Sequence, residues 1–204
     1  MHKVFISYHH ANDQWAKDAL IAWNDAHQIF EDRSVDTGDI SDDLPDDAIR
    51  IKIRDEYLRD STVTILLVGT ETEKRKHIDW ELYSSMRDSL KNKKSGILVV
   101  LLPSVCGGKQ HLCVAHGDAE KALYPTVSNW THIASREELM WGGYEYLPER
   151  IVDNLVSDKA TISVTTWKDI REDPTRLVKL IEFAHSGRAE CEYDLSRSMR
   201  GRNS

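Results

Sequence analysis

The sequence predicts an α/β protein with a central parallel sheet and helices on both faces. Three observations carry this. STVTILLVG (residues 61–69) and GILVVLLP (96–103) are apolar without alternation, the pattern of strands buried on both faces. The segments between such runs space their apolar residues at three and four, as helices do. The first half alternates β-α-β-α-β-α-β, the order of a parallel sheet whose crossovers are helices.

The elements follow in order. KVFIS (3–7) is a short β-rich run and the first strand. NDQWAKDALIAWNDA (12–26) is a helix with Trp15, Ala19, Ala22, Trp23 and Ala26 on one face, and Asn12 suits its cap. QIF (28–30) suggests a second strand that leads into an acidic loop. Pro45 fits the first turn of a helix striped by Ile49, Ile53 and Tyr57.

After the strand at 61–69 comes RKHIDWELYSS (75–85), a helix with an unusual pattern. Ile78, Leu82 and Met86 form its apolar stripe. Glu81 lies about 60° from Ile78 at the stripe's edge, and the bulky Trp80 points nearly opposite. GILVVLLP is the next buried strand, stopped by Pro103. Residues 104–130 read as irregular, and THIAS (131–135) as the last short strand. A helix around 146–157 carries Leu147, Ile151 and Leu155. TISVT (161–165) alternates like a half-buried strand, PTRLVKLIEFAH (174–185) is amphipathic, and the tail after Gly187 has no period. This divides the chain into a domain of residues 1–158 and a strand–helix–tail extension, 159–204, packed on it.

Composition narrows the function. The chain has 204 residues, 40% hydrophobic and 30% charged, which fits a folded globular protein and not a disordered one. A net charge of −7 disfavours a phosphate-backbone partner, so no nucleic acid is expected. Eight acids between residues 31 and 47 stand against Arg33 alone; the segment reads as a solvated loop, or as a working loop near a site. The longest uncharged run, SGILVVLLPSVCGG, is 14 residues and too short to span a bilayer. The N-terminus has no signal-like stretch, and three cysteines without C-x-x-C fit a reducing compartment. A cytoplasmic protein without a membrane partner is expected.

Several chemistries have no motif here. G-x-G-x-x-G, G-x-x-x-x-G-K-[ST] and G-x-S-x-G are all absent. Cys106, His111, Cys113 and His116 are zinc-type ligands, but their C-x4-H-x-C-x2-H spacing matches no common zinc module, so no metal is expected.

In a parallel α/β sheet, ligands bind beyond the carboxyl ends of the strands. Three segments lie at that edge: SYHHAND after strand one, the acidic loop after strand two and GTETEKRKHIDWE after strand three; VFISYHHAND, FEDRSVDTGDI, STVTILLVG and HIDWEL, in that order, resemble a TIR domain. The later YEYLPERIVDNL and CEYDLSRSMR are similar to the TIR-like branch that includes the sensor component of the Thoeris antiphage system. The resemblance implies a flavodoxin-like TIR fold. It implies NAD⁺ cleavage at the nicotinamide–ribose bond by one glutamate on the helix after strand three, here Glu81. NAD⁺ would be the substrate, with no cofactor, and the product a cyclic or conjugated ADP-ribose signal that activates a separate effector in antiviral defence. A homo-oligomer would also fit.

Further site residues follow by position. Ser7 and Tyr8 end the first strand and would touch substrate. His9 and His10 would meet its phosphates, and Phe30 and Asp36 would flank the adenosine or ribose. In many TIR enzymes a tryptophan stands four residues before the glutamate; here that position is His77, and Trp80 is adjacent instead. Trp80 is then either a nicotinamide-side wall or an assembly contact. The helix alone equally allows Glu81 to be a boundary residue paired with Arg75 or Lys74. The alternative function is a non-catalytic TIR scaffold, and a third reading is a flavodoxin-like receiver or nucleotide-binding domain.

Overall fold

The computed structural model describes residues 1–34, 45–89, 92–106, 111–112, 115–131, 133–141 and 144–203. The strands are β1 (Lys3–Ser7), β2 (Glu31–Asp32), β3 (Val63–Val68), β4 (Gly96–Leu101), β5 (His111–Leu112), β6 (Trp130–Thr131) and β7 (Ser163–Thr166). The helices are α1 (His10–His27), α2 (Asp46–Lys52), α3 (Lys76–Met86), α4 (Gly117–Lys121), α5 (Arg136–Trp141), α6 (Glu149–Val156), α7 (Trp167–Glu172) and α8 (Pro174–Gly187). A π-helical turn, Ile53–Tyr57, continues α2.

The main sheet has the order β2-β1-β3-β4-β7, and every pair is parallel. This is the doubly wound 2-1-3-4-5 arrangement of flavodoxin-like folds, whose ligand crevice opens where the winding reverses, beside β1 and β3. All six residues of β3 and of β4 are buried, because helices cover both faces. Alternation sorts them. Ile65, Leu67, Leu98 and Val100 face α1, α7 and α8 through Leu20, Ile170, Leu177 and Ile181. Leu66, Val68, Ile97 and Val99 face α3 and α6 through Ile78, Leu82 and Ile151. At the start of β4, α8 packs directly on the backbone: a Cβ on Gly96 would lie 1.9 Å from the Ala184 carbonyl oxygen.

Several expectations need correction. The buried face of α1 is Asp13, Ala16, Lys17, Leu20 and Asn24, whereas Trp15, Ala22 and Ala26 are exposed. Two large tryptophans outweighed the smaller residues in the pattern, yet Trp15 only rests its edge on Trp167 at the rim. The helix starts at His10, so Asn12 lies inside it, and His9 holds the cap position without a side-chain cap bond. The second strand is Glu31–Asp32, while Ile29 and Phe30 before it are core residues.

The last strand of the sheet is not THIAS. Trp130–Thr131 pairs with His111–Leu112 in a separate two-stranded sheet, and Ser163–Thr166 takes the edge of β4. Residues 159–204 are therefore no appendage, and a boundary at 158 would cut the main sheet. The tail also belongs to the core. Tyr193 Oη donates to the Ser95 carbonyl at 3.0 Å, and the Asp194 backbone N–H donates to Asn154 Oδ1 at 2.7 Å. Further on, the Lys76 N–H donates to Asn203 Oδ1 at 2.9 Å, so the tail reaches the first turn of α3. Among the described residues, no helix is long and apolar enough to cross a membrane.

Candidate functional site

The site starts with how α3 is held. Ile78, Leu82 and Met86 pack onto Leu66, Val68 and Ile97, which turns the next side of the helix toward the end of β1. Glu81 lies on that side. Its Oε2 accepts a 2.6 Å hydrogen bond from Ser7 Oγ, the hydroxyl of the last residue of β1. Both residues are buried, Glu81 at 8% exposure. An ion pair with Lys74 or Arg75 does not form, because both cations go to Glu71, at 3.1 and 2.9 Å. Burial pushes the Glu81 carboxyl up to about 7, and the Ser7 hydrogen bond opposes that rise.

A second buried acid stands at the same edge. Asp13, in the first turn of α1, lies against Gly69, the residue after β3. A Cβ on Gly69 would come 2.4 Å from Asp13 Oδ2, so glycine is what lets the carboxyl sit there. Burial pushes Asp13 up to about 6, and its Oδ2 has no hydrogen-bond partner among the described residues. His9 precedes α1; burial lowers its pKa first, and the Arg75 charge lowers it further. The edge thus combines two desolvated carboxyls with a histidine held toward its neutral form. The chemistry open to it is electrostatic stabilisation of positive charge and proton exchange near neutrality.

The other expected residues fall differently. Tyr8 is a core residue at 2% exposure, with its hydroxyl on Gln14 Oε1 at 2.8 Å and its ring stacked on His10 at 4.4 Å. Phe30 is also core, and it precedes the Lys3–Glu31 pairing at the opposite end of the strands from Ser7. Four to five residues at about 3.3 Å each separate those two levels, too far for one side chain to bridge. Asp36 lies outside the described residues. His77 is half-buried beside the Trp80 ring, 5.3 Å away.

Trp80 is neither an exposed contact nor a free wall. It is 1% exposed and packs with Phe5, Ile49, Ile53 and Leu58. Its Nε1 donates to the Arg200 carbonyl at 2.9 Å. The outward angle read from the helix is correct, but α2 and its π turn cover that side. Cys113 and the His111 side chain lie outside the described residues, while His116 stacks on Phe183 and Cys106 is half-buried.

A supporting structure escaped the sequence reading. Arg150 is fully buried, and its Nε and Nη2 donate to the two oxygens of Asp79 at 2.9 and 3.1 Å. The Arg200 N–H donates to the same carboxylate at 2.8 Å, and Arg150 Nη1 to the Arg197 carbonyl at 3.2 Å. One signal was present. Leu147, Arg150, Ile151 and Asn154 share the spacing of one helical face, which put an arginine on the buried side.

Comparison with known proteins gives a family. The family described as "Thoeris protein ThsB, TIR-like domain" matches residues 5–106, half of the chain. No curated protein matches. Among solved structures, one similar chain is described as "Structure of the activated Roq1 resistosome directly recognizing the pathogen effector XopQ (TIR domains)". It is 8% identical over 98% of this chain and 92% of that one, with a TM-score of 0.36, too loose a likeness to carry an argument.

Proposed function

The chain belongs to the TIR-like family of the Thoeris protein ThsB, and on that premise we propose that it cleaves NAD⁺ at the nicotinamide–ribose bond. The observation that carries the proposal is the buried Ser7–Glu81 pair, at 2.6 Å, at the carboxyl edge of the parallel sheet. Two points support it: the pair's position at the carboxyl end of β1, beside β3, where such folds take ligands, and a carboxyl whose burial leaves its charge uncompensated.

The chemistry suits a single carboxylate. Ordinary glycosidases need a second one to protonate a poor leaving group. Nicotinamide in NAD⁺ is a cationic pyridinium. When the C1′–N bond breaks, the electron pair goes to that nitrogen and the ring departs neutral, without a proton. Positive charge grows on the ribose, and the Glu81 carboxylate stabilises it. That effect is strong because the surroundings of Glu81 exclude water. An acceptor hydroxyl then bonds to C1′ and gives up its proton, for which a carboxylate with a pKa of about 7 is a suitable base. An acceptor within the same molecule gives a cyclic product, another small molecule gives a conjugate, and water gives ADP-ribose. Proximity selects among them. The proposed product is a cyclic or conjugated ADP-ribose signal that activates a separate effector in antiviral defence.

The test is mass spectrometry of products after incubation with NAD⁺, with purified protein and with lysates of infected cells. Glu81→Ala and Glu81→Gln are expected to fold and to lose at least about 10³-fold in turnover. Wild-type turnover in either variant would sink the assignment and leave the scaffold reading.

A further inference from the structure

We propose that His2, Glu182 and His185 form a binding site for a divalent transition-metal ion of the zinc class, at the edge of the sheet opposite Glu81. Their ligating atoms all lie within 4.8 Å of one another. His2 Nε2 is 2.7 Å from Glu182 Oε2, and the two imidazole rings are 3.9 Å apart. This site does not depend on the NAD⁺ reading, because none of its residues touches the crevice.

The ligands come from rigid elements. Glu182 and His185 are three apart on α8, so they project side by side. That helix is anchored by Leu177, Leu180, Ile181 and Ala184 and packs backbone-close on Gly96. His2 directly precedes β1, and its carbonyl accepts from the Glu31 N–H at 2.8 Å, which ties it into the sheet. Tetrahedral zinc, with bonds of about 2.1 Å, needs ligand atoms about 3.4 Å apart. The His2–Glu182 edge must open by about 0.7 Å and no other edge need close by more than about 1.4 Å, shifts of the size that side-chain rotation gives. In the His2–Glu182 contact the Nε2–H donates to the carboxylate, so an ion bound there displaces that proton.

The surroundings argue for selectivity. Two imidazoles and one carboxylate suit zinc, cobalt or nickel and not calcium or magnesium, which take oxygen ligands. His2 and His185 also line a cavity of about 450 Å³, together with Lys3, Lys93, Lys94 and Arg188 against Asp60. Those cations favour an anionic or hydroxide fourth ligand. A bound ion would clamp the start of β1 to α8.

The test uses untagged, full-length, chelator-treated protein titrated with Zn²⁺ by calorimetry, and with Co²⁺ by absorption. One equivalent is expected, bound at least about tenfold more weakly in His185→Ala and in Glu182→Gln. Excess Zn²⁺ is expected to raise Tm by about 5 to 10 °C in the parent chain. All three side chains reach the surface, so the variants retain the fold, which circular dichroism checks. Three results would overturn the site: no stoichiometric binding, equal binding in the His2→Ala/His185→Ala double variant, or a thiolate-to-cobalt charge-transfer band that reports Cys106 or Cys113 instead.

Discussion

Asp79 and Glu81 lie two residues apart on α3, and both are buried acids, yet their surroundings differ. Asp79 meets a guanidinium fork at 2.9 and 3.1 Å and a backbone N–H at 2.8 Å, so both of its oxygens are matched by donors. Glu81 meets one neutral hydroxyl at 2.6 Å among the described residues. A carboxylate with a matched cation fastens elements together; here it joins α3, α6 and the tail. A carboxylate buried without one keeps a costly charge, and its pKa rises to about 7. The lesson is that burial alone does not mark a functional acid. What meets the carboxyl sets its charge state, and that is what separates these two acids.

The largest stability effect is expected on the fastening side. Arg150→Ala leaves Asp79 buried without its cation and releases the Arg197 carbonyl. A loss of about 3–5 kcal/mol is expected, or roughly 10 °C in Tm. Thermal unfolding checks it, and a loss under about 1 kcal/mol would show that the pair is no fastener.

The other side should respond with the opposite sign. Folding raises the Glu81 pKa from 4.5 to about 7, so between those values the folded chain holds a proton that the unfolded chain releases. The contribution of Glu81 to stability is then fullest below pH 4.5 and is lost as pH rises through 7. Glu81→Gln removes this dependence. The variant is expected to match the parent near pH 4.5 and to exceed it by up to about 3 kcal/mol at pH 8. Urea unfolding at the two pH values gives the difference, and a Gln variant less stable at pH 8 would contradict the uncompensated charge.

The smallest effect tests the hydroxyl. Ser7→Ala removes the donor that favours the carboxylate, so the Glu81 pKa should rise further. The acid limb of kcat/KM for NAD⁺, expected near pH 7 in the parent, should move to higher pH. Activity at pH 7 should fall about tenfold, as for a lost hydrogen bond to a charged group. An unmoved limb would separate Ser7 from the titration of Glu81.

The fold was legible where burial is two-sided. The β3 and β4 runs carry no polar alternation, and their burial agrees residue by residue. It was less legible where local patterns compete. Glu31–Asp32 is an exposed acidic pair without β character, and only its parallel pairing with Lys3 and Val4 makes it a strand. In the site, Glu81 and Ser7 could be named from the sequence, but not their contact, which joins residues 74 positions apart. Asp13 passed unnoticed because its burial depends on Gly69, on another element.

By itself the sequence determined the parallel α/β class, the apolar stripe that seats α3, and the angle between Glu81 and Trp80. These follow from strand and helix periods, which are local. Only the tertiary structure decided what meets each side of that helix. Ser7 and the β1 end came to Glu81. The α2 turn and the tail came to Trp80, which the helix wheel had left facing outward. Periodicity states which direction a side chain takes, and packing between distant segments decides whether water, a hydroxyl or a guanidinium is there.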